Sequence, residues 1–325
     1  MKKIFIGIDI SSKTLDICLK TDGKVEYFNI QNQLKPIRLF FKKHTTVGTV
    51  VAMENTGRYN WNLFEVLAEL ELFVYVLSPL HLKKSLGLSR GKNDKIDSLR
   101  ICSYIEKNQQ GTKQWSQLSL SIRRLKVLLT ERATRVAMKS SFVRQQHDYK
   151  MMKSIALDKE LLKLNKKLIE SIDVQIKKIE SDIEMNIMLD SELKCKAELI
   201  RSVPGVGKVV SWMMIAKTEG FTSISDPRKM ACYCGVVPFD HQSGTSIRYR
   251  PRVSVFADKG MKSLLHLAAM SSIRLNNDLG TYYKRKVQEG KNKMSVLNAV
   301  RNKIIHRIFA VIKNQTIYKN DLVLS

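Results

Sequence analysis

The chain has 325 residues, of which 44% are apolar and 26% charged, with only 6 Pro and 15 Gly. This composition excludes a disordered, collagen-like or low-complexity chain and supplies enough apolar residues for more than one core. Charge is the outlier: 56 Lys and Arg against 30 Asp and Glu give +26, an excess that a polyanion partner accounts for, because cations near phosphates release condensed counterions.

The first apolar run, Ile4-Phe5-Ile6-Gly7-Ile8, is short and is interrupted by Asp9, so it does not read as a signal peptide. No run approaches the roughly 20 apolar residues of a membrane span. Five scattered cysteines (Cys18, Cys102, Cys195, Cys232 and Cys234) fit a reduced, cytoplasmic setting. Cys232-x-Cys234 has no second pair at metal-ligand spacing and reads as small buried residues.

In chain order, Lys3–Ile10 predicts a buried strand, followed by strands at Thr14–Lys20 and Val25–Ile30. Gln33–Lys43 predicts a helix and Thr49–Met53 a short strand ending at Glu54. A helix at Asn60–Leu70, a strand at Leu72–Leu77 and a helix at Asp94–Lys107 follow. Three consecutive strands and then interleaved helices imply a mixed sheet covered by helices.

No Gly or Pro occurs between Thr112 and Val203. Ile122, Leu125, Leu129, Ala133 and Val136 form one apolar stripe at helical spacing. Leu161, Leu164, Leu168, Ile172, Ile176, Ile179 and Ile183 form another. Flanked by charge, they predict two long helices in a coiled-coil hairpin or dimer arm, broken within 145–157. Beyond it, Pro204-Gly205-Val206-Gly207 opens a helix at Lys208–Thr218, residues 238–260 show little regular pattern, and Met261–Leu275 and Met294–Lys313 read as helices. Three domains are expected, at 1–112, 113–200 and 201–325. Their net charges are +6, +6 and +14.

Four carboxylates are placed to do chemistry. Asp9 lies in an apolar strand, where a charge is costly unless paired or metal-bound. Glu54 ends a second strand. Asp94 and Asp97 are three apart and share a helix face, although Asn93-Asp94 is also a cap sequence. Four oxygen ligands at one sheet edge suit hard divalent ions in phosphoryl transfer.

These motifs, Gly7-Ile8-Asp9-Ile10-Ser11, Met53-Glu54-Asn55-Thr56-Gly57 and Lys92-Asn93-Asp94-Lys95-Ile96-Asp97, resemble those of the DEDD transposase family of bacterial insertion sequences, which is related to Piv-type site-specific DNA invertases. The resemblance implies an α/β RNase H-like (RuvC-like) N-terminal domain, a helical coiled-coil middle and a mainly α C-terminal transposase domain. It also implies that Asp9, Glu54, Asp94 and Asp97 are catalytic and bind Mg²⁺, with Mn²⁺ as a substitute.

The last third extends the likeness through Pro204-Gly205-Val206-Gly207, Gly235-Val236-Val237-Pro238, Ser243-Gly244 and Lys259-Gly260. The family's nucleophilic serine maps to Ser243, with Ser246 and Ser254 as neighbouring competitors. His241 is read either as a base or as a polar contact. Gly205, Gly207 and Lys208 resemble a helix-hairpin-helix phosphate turn. Arg248, Arg250, Arg252 and Lys259 are expected to hold nucleic acid beside the serine. Lys259-Gly260-Met261 departs from the family's usual Lys-Gly-Asn.

The resemblance therefore implies an insertion-sequence recombinase in the bacterial cytoplasm, at the nucleoid. Its expected partners are donor and target DNA, an element-encoded guide RNA, and further copies of itself as a dimer or tetramer, with no membrane partner. Three alternatives stand beside that reading: a RuvC-like metal-dependent junction nuclease, a Piv-type invertase without guide RNA, and a non-catalytic RNA-binding coiled-coil protein.

Overall fold

The structure is a computed structural model that describes residues 3–79, 82, 93–151, 158–243 and 247–319. The chain divides into two compact units, Met1–Gln117 and Leu118–Ser325.

In the first unit, β1 (Ile4–Ile10), β2 (Thr14–Thr21) and β3 (Lys24–Gln31) form an antiparallel meander. The β2–β3 turn is Asp22-Gly23, and both residues have positive φ (49° and 82°). That geometry matches the twist of the two strands. On the other side of β1, β4 (Val50–Glu54) and β5 (Phe73–Leu77) add in parallel, giving the order β3-β2-β1-β4-β5. The helices are α1 (Leu34–His44), α2 (Trp61–Leu67) and α3 (Asp94–Asn108). This mixed sheet with flanking helices is the arrangement expected of an RNase H-like fold.

Side chains alternate across a strand, and here both faces are covered. Ile6, Ile8 and Ile10 of β1 and Val51 and Met53 of β4 pack with Ile37, Phe40 and Phe41 of α1 and Leu63, Val66 and Leu67 of α2. Phe5, Val50 and Ala52 face the other way, onto Ile101, Cys102 and Ile105 of α3. Continuing that alternation puts Asp9 and Glu54 on the α3 face.

The second unit is mainly helical. It begins with α4 (Leu120–Met151) and α5 (Asp158–Met188), 32 and 31 residues long. They run antiparallel: Asn186 bonds the Ser121 carbonyl, Arg132 pairs with Glu180, Lys139 with Asp173, and Asn165 bonds the Phe142 carbonyl. Residues 152–157, where much of the expected break falls, lie outside the described residues.

Only part of each apolar stripe is the seam. Ile122, Leu125, Leu129, Ile172 and Ile183 are buried, but Leu164 and Leu168 are 59% and 47% exposed. Asn165 takes the buried place between them, and its side-chain amide donates to Phe142 O at 3.3 Å. Further along α4, Val136 is exposed and ion pairs cross the seam instead. The stripe alone could not show this slip, because its 3–4 spacing fits either neighbouring register.

The helices α6 (Ser191–Arg201), α7 (Lys208–Thr218), α8 (Pro227–Tyr233), α9 (Lys259–Ser272), α10 (Asp278–Gln288) and α11 (Lys293–Asn314) pack around Trp212, Leu265, Ile304 and Ile308. Ile122, Leu125, Leu129, Ile183 and Ile187 of the long helices join that same core. A two-stranded hairpin, β6 (Phe239–Ser243) and β7 (Ile247–Arg252), occupies the stretch expected to be irregular. Its arginine-rich alternation has too few apolar residues to read as a strand. No helix among the described residues is long and apolar enough to cross a membrane.

Candidate active site

Three elements place the four acids towards one end of the sheet. Ile8 of β1 pairs with Met53 of the parallel β4, so the next residues, Asp9 and Glu54, leave the sheet side by side. Gly7, one pleat before Asp9, lies against Ser98 and Cys102 of α3. Asp97 and Asp94 are on the preceding turn of that helix, towards Asp9. Asn93 caps the helix, its side chain accepting from Lys95 N at 3.2 Å, so Asp94 and Asp97 are left free of the capping role.

The electrostatics agree with this placement. The Asp9 carboxyl is pushed up to about 6, first by burial, then by Asp97 and Asp94 and more weakly by Glu54, against one stabilising bond from the Ile10 backbone. Glu54 is also raised, by burial and then by Asp97. Among the described residues, however, no three His, Cys, Asp or Glu stand close enough to form a metal-holding group. Arg100 Nη1 donates to Asp97 Oδ1 at 2.8 Å, an ion pair within the same helix. The donor set is all carboxylate oxygen, which suits Mg²⁺ or Mn²⁺, and a divalent cation would relieve the repulsion that raises Asp9.

Sequence reasoning missed the residues that hold this end of the sheet. Asn60 is fully buried; its Nδ2 donates to Glu54 O at 3.1 Å and its Oδ1 accepts from Thr56 N at 3.0 Å. Asn32 donates to both Ser11 O and Tyr59 O at 3.0 Å, tying the loop after β1 to the loop after β4. Only buried asparagine geometry marks them, and a sequence does not display it. Arg100 was legible in principle, as a cation three residues after Asp97.

In the second unit, Ser243 ends β6 opposite Ile247. Ser246 lies outside the described residues, as do the side chains of His241, Ser243, Arg248 and Arg250. Arg252 and Lys259 are exposed. Lys259 opens α9 directly after Asp258, which caps the helix, accepting from Met261 N at 2.9 Å, and also pairs with Lys217 at 2.8 Å. Ser254 Oγ accepts from Phe256 N.

The two turn glycines differ. Gly205 has φ +84°, and a Cβ there would lie 2.4 Å from Ala268 O of α9. Gly207 has open space around it, and Lys208 beside it is 63% exposed. We expect Gly205→Ala to destabilise the second unit by about 2–4 kcal/mol, combining left-handed strain with a backbone clash. Gly207→Ala should change it by less than about 1 kcal/mol. Urea unfolding of the two variants checks this; equal midpoints would remove the packing role.

Two family comparisons now bear on these positions. The DEDD family of IS110-type proteins, described as transposase, matches residues 6–151, which include all four acids. The family described as Transposase IS116/IS110/IS902 matches residues 197–284, which include Ser243 and the basic positions around it. In two separate stretches, then, the chain is similar to IS110-type transposases. Over its whole length the chain is also similar to the pilin gene-inverting proteins of Moraxella bovis and Moraxella lacunata. Each is 26% identical, with 96% of this chain and 97% of the relative aligned. A shorter match, 28% identical over 125 residues, links it to the uncharacterized 42 kDa protein of insertion element IS900 from Mycobacterium paratuberculosis. That match covers 38% of this chain and 31% of the relative.

Proposed function

We propose that this chain is a site-specific DNA recombinase of the inverting kind, working without a guide RNA. The chemistry is supported by one arrangement: Asp9 and Glu54 end the paired strands β1 and β4 on the face covered by α3, whose first turn carries Asp94 and Asp97. The whole-length likeness to gene-inverting proteins supports inversion over guide-RNA-directed transposition. The short insertion-element match supports transposition over less than half of the chain.

Asp9, Glu54, Asp94 and Asp97 would hold Mg²⁺, which supplies charge neutralisation at the DNA phosphate. Ser243 is the proposed nucleophile, on the strength of the family resemblance. Its Oγ attacks phosphorus, the P–O3′ bond breaks, and the proton leaves Ser243 as a 3′-hydroxyl is released. A 3′-hydroxyl from another strand then attacks the phosphoserine ester and regenerates the serine, so the phosphodiester count is unchanged. Arg248, Arg250, Arg252 and Lys259, with the turn at Gly205, Gly207 and Lys208, are the proposed DNA contacts, and two or four copies would act together.

The test uses a supercoiled plasmid carrying the DNA that flanks this gene, purified full-length protein, Mg²⁺ and ribonuclease. Inverted product is expected, together with a covalent protein–DNA adduct that disappears in Ser243→Ala. Loss of product on ribonuclease treatment would return the guide-RNA reading. Cleavage of four-way junctions in Mg²⁺ with neither inverted product nor adduct would favour a junction nuclease and remove the serine mechanism.

A further inference from the structure

The link between β4 and α2 carries a surface that the proposed chemistry does not use. Gly57–Asn60 is a 3-10 turn, and Trp61 N donates to Arg58 O where the turn passes into α2. Side chains three apart eclipse in such a turn, so Arg58 and Trp61 leave the backbone on the same side. Arg58 lies across its neighbour, with its guanidinium carbon 5.3 Å from the centre of the Tyr59 ring. Tyr59 and Trp61 are 38% and 58% exposed. One face of Tyr59 is thus taken by the guanidinium. Trp115 stacks on Phe64, but Trp61 has no ring or cation partner among the described residues.

The footing of this turn is polar and buried. Asn60 holds Glu54 O and Thr56 N, as described above. Asn32 ties three segments together: its side chain donates to Ser11 O and Tyr59 O, its backbone N donates to Lys13 O at 2.8 Å, and its carbonyl accepts from Asn62 Nδ2 at 2.8 Å. Ser11 follows Asp9 by two residues and Asn60 grips Glu54, so the turn is anchored at the strand ends that carry both acids. A tryptophan held out in water on a turn fixed in this way forgoes the burial that would stabilise the fold, which points to a partner.

Charge selects that partner. Carboxylates at this end of the sheet repel a phosphate backbone, so a strand that reaches them needs cations close by. Lys20, Arg38 and Arg100 in the same unit each hold a carboxylate. Lys13 and Arg58 are exposed and have no carboxylate partner among the described residues. Two unneutralised cations and an open indole suit a single strand, whose phosphates meet the cations and whose unstacked base meets the ring. A duplex keeps its base faces stacked and offers Trp61 nothing.

We propose that Lys13, Arg58 and Trp61 bind an unpaired DNA strand at the end of the sheet that carries Asp9 and Glu54. One base stacks on the Trp61 indole, the adjoining phosphates lie on Lys13 and Arg58, and Tyr59 supports the Arg58 side chain. Only DNA as the partner is taken from the recombinase reading; no metal and no cleavage are required.

In the experiment, the full chain in EDTA is titrated with a single-stranded DNA oligonucleotide, RNA of the same sequence and the matching DNA duplex, across a salt series. Single-stranded DNA should quench tryptophan emission, because Trp61 is exposed whereas Trp115 is half-buried and Trp212 buried. Trp61→Phe should lose the quench yet keep affinity within about threefold, since another ring takes the base. Trp61→Ala should weaken single-strand binding by about tenfold with no change in salt slope. Lys13→Gln with Arg58→Gln should lower that slope by about 1.4, the loss of two phosphate contacts on a single strand. Duplex binding should change less than about twofold in each case. Circular dichroism confirms that the variants are folded. No quench at saturating DNA, unchanged single-strand affinity in Trp61→Ala, or an equal loss for the duplex would overturn the proposal. A larger effect on RNA than on DNA would overturn the assignment to DNA. Asp9→Asn should keep the quench. A quench without plasmid inversion removes the recombinase reading alone, and inversion without a quench removes this one alone.

Discussion

Asp9→Asn is expected to abolish recombination and, in metal-free buffer at pH 7.5, to make the protein more stable than the parent. The two effects have one cause. Burial and the neighbouring acids push the Asp9 carboxyl from 3.8 up to about 6, so its ionised form is held in the fold at a cost. For a fully buried group a displacement of that size corresponds to about 3 kcal/mol. Asp9 is only half-buried, and solvent screening reduces the effect to about 1–2 kcal/mol.

The sign follows from linkage. A carboxyl whose folded value is raised contributes stability that is fully present below 3.8, where it is protonated in both states. That contribution is lost as pH rises through about 6. Asparagine keeps a similar shape without the charge. The variant should therefore match the parent below pH 4 and exceed it by several degrees in melting temperature above pH 7. Mg²⁺ should narrow the gap by stabilising the parent more than the variant. Activity should fall by at least about 10²-fold, the scale of losing a preorganised electrostatic contact. Calorimetry across pH 4–8, with and without Mg²⁺, reads all of this. A variant that is less stable than the parent at pH 7.5 would show that Asp9 is already compensated, and the metal reading would lose its main support.

Much of this site was legible in the sequence because a strand has a strict period. Once Ile4–Ile10 and Val50–Glu54 are strands, the positions of Asp9 and Glu54 follow, and only the pairing register had to be supplied by the structure. The three-residue spacing of Asp94 and Asp97 likewise survives any choice of packing. What could not be read was the polar scaffold. Asn32 lies in a loop and Asn60 in the short 3-10 turn Gly57–Asn60, and their value comes from which carbonyls they reach. The coiled-coil register failed for a related reason. Leu164 and Leu168 form a good stripe on paper, but Asn165 finds a backbone acceptor across the seam, and one bonded asparagine shifts the buried face. The hairpin at 239–252 escaped because β6 is largely polar and three of the six residues of β7 are arginine, which removes the apolar contrast on which strand reading depends.

Gly7→Ala is expected to be the most damaging single-methyl change in the first unit, although Gly7 touches neither DNA nor metal in the proposed reaction. Its φ is not in the left-handed region, so conformational freedom is not the reason for glycine here. Space is the reason. A Cβ at Gly7 would lie 2.3 Å from Ser98 O, 2.4 Å from Cys102 N and 2.7 Å from Cys102 Cβ. The two closest atoms belong to the backbone of α3 and cannot rotate away. The helix must lift from the sheet, opening gaps around the buried Ile101, Cys102 and Ile105. Overpacking against movable side chains costs about 1–3 kcal/mol, and against helix backbone the upper end or more is expected. The same movement carries Asp94 and Asp97 away from Asp9 and Glu54, so recombination should fall even at temperatures where the variant is folded. Gly111→Ala is the control, because nothing lies within 4 Å of a Cβ there. Cys102→Gly should not rescue Gly7→Ala, since it relieves the farthest of the three contacts and leaves both backbone clashes. A stable, fully active Gly7→Ala protein would mean that α3 tolerates a wider seat on β1, and that the four acids do not depend on this close approach for their alignment.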